Sequence, residues 1–214
     1  MTTGRLPSFH IAVPYLDRIQ HRDRLAATLG SIVGQTAVHD VRANLTATVA
    51  SGATDGSLAS WLAERFPGVM LDEAPDEGMY DGLARVFRGS NADFFGWLGA
   101  GDTYESAAFD IVTENAPRDP AKEPFWITGL MQGRRADGAV VRSFLPYRYR
   151  RRFFETGLHG TALPTIQQES TFWDQALHRM IDFNAWARFR LAGDFYLWHN
   201  FSHVCEPEIG RAHV

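Results

Sequence analysis

Apolar runs of strand length alternate with amphipathic segments of helical period along the first half of the chain. The predicted strands are residues 9–13, 45–49, 69–71 and 94–98. The predicted helices, in which apolar side chains recur at spacings of three and four, are about residues 22–33, 58–66 and 83–87. Pro14 is expected to end the first strand. This alternation is typical of a doubly wound α/β sheet with crossover helices.

The order of elements becomes less regular after Asp102. Pro117, Pro120 and Pro124 interrupt the chain before a further predicted strand at residues 125–128. The sequence shows no internal repeat and no low-complexity linker. We therefore expect one α/β domain with a Rossmann-like mixed sheet flanked by helices.

Composition narrows the class of protein. The 214 residues are 45% hydrophobic and 21% charged, which suffices for one sizeable core. A formal net charge of -4 provides no overall basic field, so we expect no nucleic-acid partner. The single cysteine, Cys205, has no partner for an internal disulfide. No signal-peptide pattern and no apolar run near the ~20 residues that cross a bilayer are present, so a cytoplasmic location is predicted.

The carboxy-terminal residues 208–214 can be back-translated into the opening of a common sequencing-library adapter, followed in frame by a stop. We interpret this tail as non-native, so that one domain spans residues 1–207 and the native protein continues beyond Pro207. A natural polar tail is the alternative, because chain ends tolerate almost any sequence. Re-sequencing the locus without adapter read-through distinguishes the two origins.

Polar and small residues follow the predicted strands. Ligands of doubly wound sheets bind where the carboxyl ends of the strands meet. Those ends carry Pro14 and Tyr15, Ser51 and Gly52, Asp76, and Asp102. The glycines before Asp102 let backbone approach a phosphate or ribose. The Asp102 carboxylate can then bind Mg²⁺ or Mn²⁺, since these cations need only one or two protein carboxylates beside substrate phosphates.

Several segments together resemble the family 2 glycosyltransferases of GT-A fold, especially the bacterial polysaccharide-type enzymes. The most specific is the donor-loop motif Glu73-Ala74-Pro75-Asp76-Glu77-Gly78-Met79-Tyr80-Asp81. The family's metal motif, an aspartate pair after a strand, falls on Gly101-Asp102. The other matching segments are residues 13–15, 51–56, 167–173 and 192–198. The likeness covers most of the chain, and the order and spacing of the segments agree.

The resemblance implies an inverting transfer, in which an acceptor hydroxyl attacks the anomeric carbon of a nucleotide-activated sugar. It assigns Asp102 to a divalent cation, Mn²⁺ or Mg²⁺, that neutralises the departing diphosphate. It assigns Asp194 to the base that takes the acceptor proton. The implied donor-binding residues are Pro14, Tyr15 and Ser51 at the nucleoside, with Asp76 and Asp81 near the sugar or ribose. Gln168 and Glu169 are expected to orient the acceptor or to form buried hydrogen bonds that fix their loop.

Two positions depart from the family pattern. Ala50-Ser51 stands where the family usually carries an acid that holds the base or ribose, and Gly101 replaces the first aspartate of the metal pair. Ser51 can donate or accept a hydrogen bond but supplies no fixed charge. Donor affinity and metal dependence are therefore expected to differ from those of the family.

The candidate residues also have structural interpretations. An aspartate after glycine, such as Asp102, is typical of a turn or cap, and Asp194 fits a capping or surface position on a helix. The neighbouring donor loop and the resemblance favour the functional interpretation of both. Asp55 is interpreted as the cap of a helix that starts near Ser57, and Tyr80 as a packing residue.

A basic and aromatic segment covers residues 147–154. Its arginines predict peripheral contact with a membrane, because the resemblance includes enzymes that glycosylate lipid-linked acceptors on the cytoplasmic leaflet. These arginines are Arg148, Arg150, Arg151 and Arg152. A solvated basic loop is the alternative. His159, nearby, is a candidate contact for a phosphate or metal. The alternative is that it has neither role, as is usual for a lone histidine in a loop.

The sequence thus predicts a GT-A glycosyltransferase that moves a sugar from a nucleotide-diphosphate donor to a glycan or lipid-linked acceptor. Cell-envelope or exopolysaccharide assembly, in the cytoplasm or at the inner face of the membrane, is the expected context. A non-catalytic relative that binds nucleotide or glycan is an alternative, because acidic residues are missing. A nucleotidyltransferase is a third possibility, but that class carries a glycine-rich basic loop that residues 13–18 lack.

Overall fold

A computed structural model describes residues 5–16, 21–52, 56–117, 123–135, 137–144, 149–159, 161–163 and 166–210. Their centre is a seven-stranded mixed sheet of order β3-β2-β1-β4-β8-β5-β9, beside a two-stranded hairpin, β6-β7. The strands are β1 Ser8–Tyr15, β2 Asn44–Ser51, β3 Met70–Glu73, β4 Phe94–Trp97, β5 Trp126–Thr128, β6 Met131–Arg134, β7 Val140–Phe144, β8 Thr171–Asp174 and β9 Glu208–Ile209. The predicted α/β fold class is confirmed.

Helices cover both faces of this sheet. They are α1 Arg22–Val33, α2 Thr36–His39, α3 Ser57–Arg65, α4 Met79–Phe87, α5 Ala108–Asn115, α6 Arg151–Glu155, α7 Gln175–His178, α8 Phe183–Trp186 and α9 Gly193–Ser202. A 3₁₀ turn, Gln168–Ser170, leads into β8. Within the described residues, no helix has the length and apolar character that crossing a membrane requires.

The first four strands run parallel, so their carboxyl ends share one edge of the sheet. β1 pairs with both β2 and β4, and β2 pairs with β3, all in parallel. The order changes at β8, which lies antiparallel between β4 and β5. The chain segment before β8 therefore returns to the edge at which the parallel strands end.

Pro14 does not end the first strand, contrary to the prediction, because β1 continues through Tyr15. Pro14 pairs with Ala50 of β2, whereas the pairing of β1 with β4 covers only Phe9 to Ala12. The carbonyl of Ala12 accepts from the Leu98 amide on the β4 side. The backbone of Pro14, two residues on, faces that same side beyond the last ladder pair, so its missing N–H costs no sheet hydrogen bond.

Two apolar layers pack on opposite faces of the sheet. Alternate β1 residues Phe9, Ile11 and Val13 pack with the helices α1, α3 and α5. The other layer joins Ala12 to α4, α7, α8 and α9 and contains five fully buried tryptophans. These tryptophans are Trp97, Trp126, Trp173, Trp186 and Trp198. Removing one such ring typically costs about 3–5 kcal/mol of unfolding free energy, so this layer fixes β4, β8 and α9 relative to one another.

The short strand β9 includes residues of the tail that was predicted to be non-native. Glu208 and Ile209 pair in parallel with Ile127 and Thr128 of β5. Residues 211–214 lie outside the described part of the chain. The adapter origin of the tail and the domain boundary at residue 207 stay predictions.

Candidate functional site

Two predicted site residues, Tyr15 and Ser51, and the acid Glu73 meet at the carboxyl ends of the first three strands. Tyr15, the last residue of β1, pairs with Ser51, the last residue of β2. Ser51 in turn pairs with Glu73 at the end of β3. In-register neighbours point to the same face of a sheet, so a phenol, a hydroxyl and a carboxylate form one row across three strands.

A cavity of about 240 Å³ opens beside this row. Pro14, Tyr15, Leu16, His21, Arg24 and Ala100 line it. Pro14 and Tyr15 were predicted to bind the nucleoside, whereas His21 and Arg24 of the following segment were not identified from the sequence. A larger cavity of about 320 Å³, next to α9, contains no predicted site residue.

The donor loop, which we define as residues 73–81, is held by its own carboxylates. The amide of Gly78 donates to Asp76 Oδ1 over 3.0 Å, and the amide of Glu77 donates to Asp81 Oδ2 over 3.0 Å. Asp76 also abuts Gly52, where an added Cβ would lie only 2.9 Å from Asp76 Oδ2. Asp76 and Asp81 thus shape the loop and bring it against the end of β2.

Two arginines brace the donor loop from outside. Arg85 of α4 donates to Asp72 over 2.6 Å and to the carbonyl of Ala74 over 3.2 Å. Arg190, which precedes α9, forms a 2.8 Å ion pair with Glu77. The Arg190 contact joins the donor loop to the segment that carries Asp194.

The loop after β4 places Asp102 through contacts with α1. Gly101 has a φ of +114°, a conformation that favours glycine. Its amide donates to Thr28 Oγ1 over 2.9 Å, and the same hydroxyl donates to the carbonyl of Asp102 over 2.8 Å. Thr28 is fully buried on α1, so this helix fixes the backbone on both sides of the Gly101–Asp102 bond.

Asp102, Tyr104 and Glu169 form an acidic cluster at the same edge of the sheet. Burial raises the pKa of Asp102, and the negative charge of Glu169 raises it further. Burial also raises the pKa of Tyr104, and Glu169 and Asp102 add to that rise. Each carboxylate therefore lies near enough to the Tyr104 phenol to oppose its ionisation.

The polar atoms of this cluster lack internal partners. Among the described residues, neither the Tyr104 hydroxyl nor Glu169 Oε2 has a hydrogen-bond partner, although both atoms are buried. Oε1 of Gln168 is also buried and has no hydrogen-bond partner among the described residues. The loop that carries them is fixed by the next residues instead, since Ser170 and Thr171 donate to the carbonyl of Gln167 over 3.2 and 2.8 Å. Gln168 Oε1 and Glu169 Oε2 therefore contribute no loop-fixing hydrogen bond among the described residues.

Asp194 lies in the first turn of α9 and faces α4. The hydroxyl of Tyr80 donates to Asp194 Oδ1 over 3.2 Å. Burial and the Asp194 charge raise the pKa of Tyr80 to about 12, so this donor keeps its proton at neutral pH. Gly193 permits the contact, because a Cβ there would lie 2.8 Å from the Tyr80 ring. Tyr80 thus packs, as predicted, and also orients Asp194.

Asp194 is not the cap of its helix. The N-cap residue is Ala192, with a φ of 57°, a left-handed conformation that is costly for a residue with a side chain. The predicted cap Asp55 lies outside the described residues. The N-cap position of α3 is Gly56, which makes no side-chain cap bond.

The predicted cation position at Asp102 has few potential protein ligands around it. Within the described ranges, no three histidine, cysteine, aspartate or glutamate side chains are grouped so as to hold a metal ion. Asp102 and Glu169 nevertheless fit a Mg²⁺ or Mn²⁺ ion that is also bound by substrate phosphates. The partnerless Glu169 oxygen and the charge repulsion at Asp102 are both features that a cation would relieve.

The basic segment is partly helical rather than a loop. Arg151 and Arg152 begin α6, and Arg151 pairs with Glu155 over 2.7 Å. Tyr149 and Phe154 are buried and contact the ring of His159, which is itself 1% exposed. These aromatic side chains and His159 therefore face the protein interior. Arg150 is exposed, and Arg148 lies outside the described residues.

Comparison with known proteins identifies the fold. No protein-family model and no curated protein matches the sequence. The structure matches a 1–349 fragment of TarS from S. aureus with a TM-score of 0.62 and 12% identity, over 95% of this chain and 57% of that one. The same fragment in complex with UDP matches equally well, also over 57% of its length.

A second similar structure is the mannosyltransferase PcManGT from Pyrobaculum calidifontis, in complex with GDP-Man and Mn²⁺. The TM-score is 0.62 with 16% identity, over 97% of this chain and 55% of that one. The chain thus spans little more than half the length of these proteins. Together with the seven-stranded mixed sheet, these matches show that the chain has the GT-A glycosyltransferase fold.

Proposed function

We propose that the protein transfers a sugar from a nucleoside-diphosphate donor to a hydroxyl acceptor, with inversion at the anomeric carbon. The observation that carries this proposal is the edge of the sheet at which a cavity, an acidic cluster and a braced donor loop meet within a GT-A fold. Fold alone does not specify a reaction, so the side chains at this edge are the basis for the proposed transfer. UDP and GDP-Man in the similar structures support a nucleotide-sugar donor.

The nucleoside occupies the cavity beside Tyr15. Pro14 and Tyr15 supply its apolar wall, and Arg24 supplies a positive charge from α1. Ser51 contributes a hydroxyl at the floor, next to Tyr15 in the strand register. Asp76 and Asp81 hold the donor loop around the sugar or ribose through the backbone contacts described above.

Glu73 replaces the acid that is missing at the end of β2. It is the in-register neighbour of Ser51, and its Oε1 is buried with no hydrogen-bond partner among the described residues. A buried carboxylate oxygen is costly unless a ligand donates to it. Glu73 therefore accepts a hydrogen bond from the base or ribose, a role that sequence reasoning assigned to Ser51.

Asp102 holds the divalent cation that the fold family uses, Mn²⁺ or Mg²⁺. When bound, such a cation stabilises the negative charge that builds on the departing diphosphate. Thr28 and Gly101 keep the Asp102 backbone fixed, so the carboxylate is preorganised for this contact.

Asp194 removes the acceptor proton. As the acceptor oxygen bonds to the anomeric carbon, the bond from that carbon to the diphosphate oxygen breaks and the hydroxyl proton passes to the carboxylate. Tyr80 fixes the orientation of Asp194 through its 3.2 Å hydrogen bond. A base that is held in place takes the proton within the transition state, when the hydroxyl becomes acidic.

The acceptor is a glycan or a lipid-linked glycan, in cell-envelope or exopolysaccharide assembly. The support is the sequence resemblance, together with the exposed Arg150 and the partly exposed Arg151 near α6. These arginines are the proposed contact with an anionic membrane at its inner face.

Donor hydrolysis tests the proposed function. The chain is incubated with a panel of UDP- and GDP-sugars, with and without Mn²⁺, and release of nucleoside diphosphate is measured. We expect slow, Mn²⁺-dependent release from one donor, and release at least about 100-fold slower from the Asp102→Asn variant. Release that is absent for every donor, or equal in that variant, contradicts the proposed reaction.

A non-catalytic binding protein is the second candidate. Ser51 and Gly101, which replace acidic residues of the family pattern, favour it. The same panel separates the two, because a binding protein gains thermal stability from a nucleotide without releasing diphosphate from its sugar.

A further inference from the structure

The acidic cluster contains buried side-chain polar atoms that have no hydrogen-bond partner among the described residues. Tyr104 is only 8% exposed, yet its hydroxyl and the nearby Glu169 Oε2 have no hydrogen-bond partner among the described residues. Buried polar atoms are normally paired, and exceptions call for an explanation such as an ion. The surrounding structure leaves little freedom, because an added Cβ at Gly96 would lie 3.1 Å from the Tyr104 hydroxyl.

We propose that Glu169 is the second carboxylate ligand of the divalent cation, in place of the aspartate that Gly101 replaces, and that Tyr104 is its positioning residue. The proposal rests on the cation of the proposed function. It moves Glu169 from the acceptor side to the leaving-group side of the reaction.

The strand order explains how a distant residue reaches this position. β8 lies antiparallel beside β4, so the 3₁₀ turn before β8 returns to the end of β4, where the Asp102 loop begins. Tyr104 connects the two segments, since its ring lies 5.0 Å from that of Phe172 in β8 and its amide donates to Ser31 over 3.1 Å. The Asp102 loop and the 3₁₀ turn that carries Glu169 therefore lie at the same edge of the sheet, next to Tyr104.

A structural role for Glu169 does not fit this arrangement. A structural carboxylate would accept hydrogen bonds from its surroundings, as Asp174 does from the amides of Leu177 and Phe125 at 2.9 and 3.0 Å. Glu169 Oε2 is instead buried with no hydrogen-bond partner among the described residues. A buried carboxylate oxygen without a donor is costly unless a ligand contacts it, and a divalent cation does so directly.

Tyr104 orients Glu169 without touching the substrate. A phenol donates one hydrogen bond, and a carboxylate oxygen is its best available acceptor. With a cation bound by Asp102 and Glu169, the Tyr104 hydroxyl would donate to a Glu169 oxygen and fix the direction of its lone pairs. Residues that hold a ligand in this manner typically contribute about 10–100-fold to metal affinity.

Mn²⁺ binding tests the proposal apart from transferase activity. Free Mn²⁺ is measured by electron paramagnetic resonance during titration of the full chain, alone and with UDP or GDP. The variants are Glu169→Gln, Tyr104→Phe and Asp102→Asn. Glu105→Gln is the matched control, because Glu105 is an exposed acid near Asp102 whose carboxylate forms an ion pair with Arg134.

We expect Glu169→Gln to weaken Mn²⁺ binding by roughly 100-fold and Tyr104→Phe by roughly tenfold, by analogy with other metal-site substitutions. Glu105→Gln should bind as the unmodified chain does. Metal-free Glu169→Gln should melt at the same or a higher temperature, since Glu169 Oε2 has no hydrogen-bond partner to lose among the described residues. The double variant Asp102→Asn with Glu169→Gln should bind Mn²⁺ at most about threefold more weakly than the weaker of the two single variants. The two losses do not add, because both side chains act on one ion.

Unchanged Mn²⁺ affinity in Glu169→Gln overturns the proposal. If the metal-free variant also melts at a lower temperature, Glu169 has a structural role instead. The first result leaves the transferase proposal intact if donor hydrolysis still requires Mn²⁺. Conversely, a chain that releases no diphosphate but loses Mn²⁺ affinity in Glu169→Gln refutes the transferase proposal and supports this one.

Discussion

The donor loop and the acidic cluster both place carboxylates at one edge of the sheet, but these carboxylates differ in the hydrogen bonds that they accept. Asp76 and Asp81 accept hydrogen bonds from backbone amides of their own loop at 3.0 Å. In the cluster, Glu169 Oε2 and the Tyr104 hydroxyl have no such partner among the described residues. A satisfied carboxylate organises the chain, whereas an unsatisfied buried one is available to a ligand.

This contrast separates stability from function within one site. Substitutions in the donor loop should mainly change folding stability, with a secondary effect on donor binding. Substitutions in the acidic cluster should mainly change catalysis and leave stability the same or higher. Glu73 is the exception in the donor loop, because its Oε1 is also buried and partnerless among the described residues.

Asp102→Asn tests the contrast most strongly. We expect turnover to fall about 10²–10³-fold, comparable to the loss of one group that stabilises transition-state charge. Stability should not fall, because burial and Glu169 disfavour the ionised form of Asp102 in the folded state, as its raised pKa indicates. Steady-state kinetics and urea unfolding of the same preparation measure both. A variant with normal turnover, or with clearly lower stability, breaks the comparison.

His10 and His178 are buried side chains whose surroundings favour the neutral ring over the charged one. Burial lowers the pKa of His10 and of His178 to about 4, from 6.5. Neutral His10 bonds Ser90 over 2.8 Å and Thr48 over 3.0 Å. The unfolded chain therefore binds more protons between about pH 6.5 and 4, and stability falls as pH falls through that range.

Between pH 7.5 and 5.5 the expected loss is about 1.4 kcal/mol for each histidine, or about 3 kcal/mol together. Urea unfolding at the two pH values measures it, and His10→Gln should remove about half of the pH dependence. The raised pKa of Asp174 has the opposite sign, because its folded form holds a proton more tightly. Stability that does not change between these pH values would show that the histidines titrate normally.

Asp81→Asn tests the donor loop. The asparagine oxygen still accepts from Glu77, but without the charge that complements the start of α4. We expect a loss of about 1 kcal/mol in unfolding free energy, typical of a weakened N-terminal contact. The donor KM should rise while the turnover rate stays near that of the unmodified chain. A fall in turnover as large as that of Asp102→Asn would place Asp81 in the chemistry instead.

Arg190→Gln is the smallest expected change. The ion pair of Arg190 with Glu77 is exposed on both sides, and such pairs typically contribute about 0.2–1 kcal/mol. Thermal unfolding should barely shift, and less so at high salt. Glu77→Gln is the matched partner, and similar results for both variants would show that the backbone contacts, not this bridge, hold the loop.

The local sequence predicted much of the parallel half of the fold. The helix at Arg22–Val33 and the strands β2 and β4 follow from apolar periodicity, which short-range geometry sets. The donor-loop motif and the glycines before Asp102 lie at the edge where the parallel strands end, as the strand predictions imply. Pro14 was misjudged because its tolerance depends on where the pairing with β4 stops, which no local pattern reveals.

Tertiary structure decided the contacts between distant residues. Tyr80 and Asp194 lie 114 positions apart, and Thr28 reaches the Asp102 carbonyl across 74. These contacts depend on the placement of α4, α9 and β8 around the sheet, which is set by burial of the tryptophan layer rather than by any local period. The sequence by itself determined which elements form and which acids follow them. Only the packing of those elements decided which acids are satisfied by the protein and which are left for a ligand.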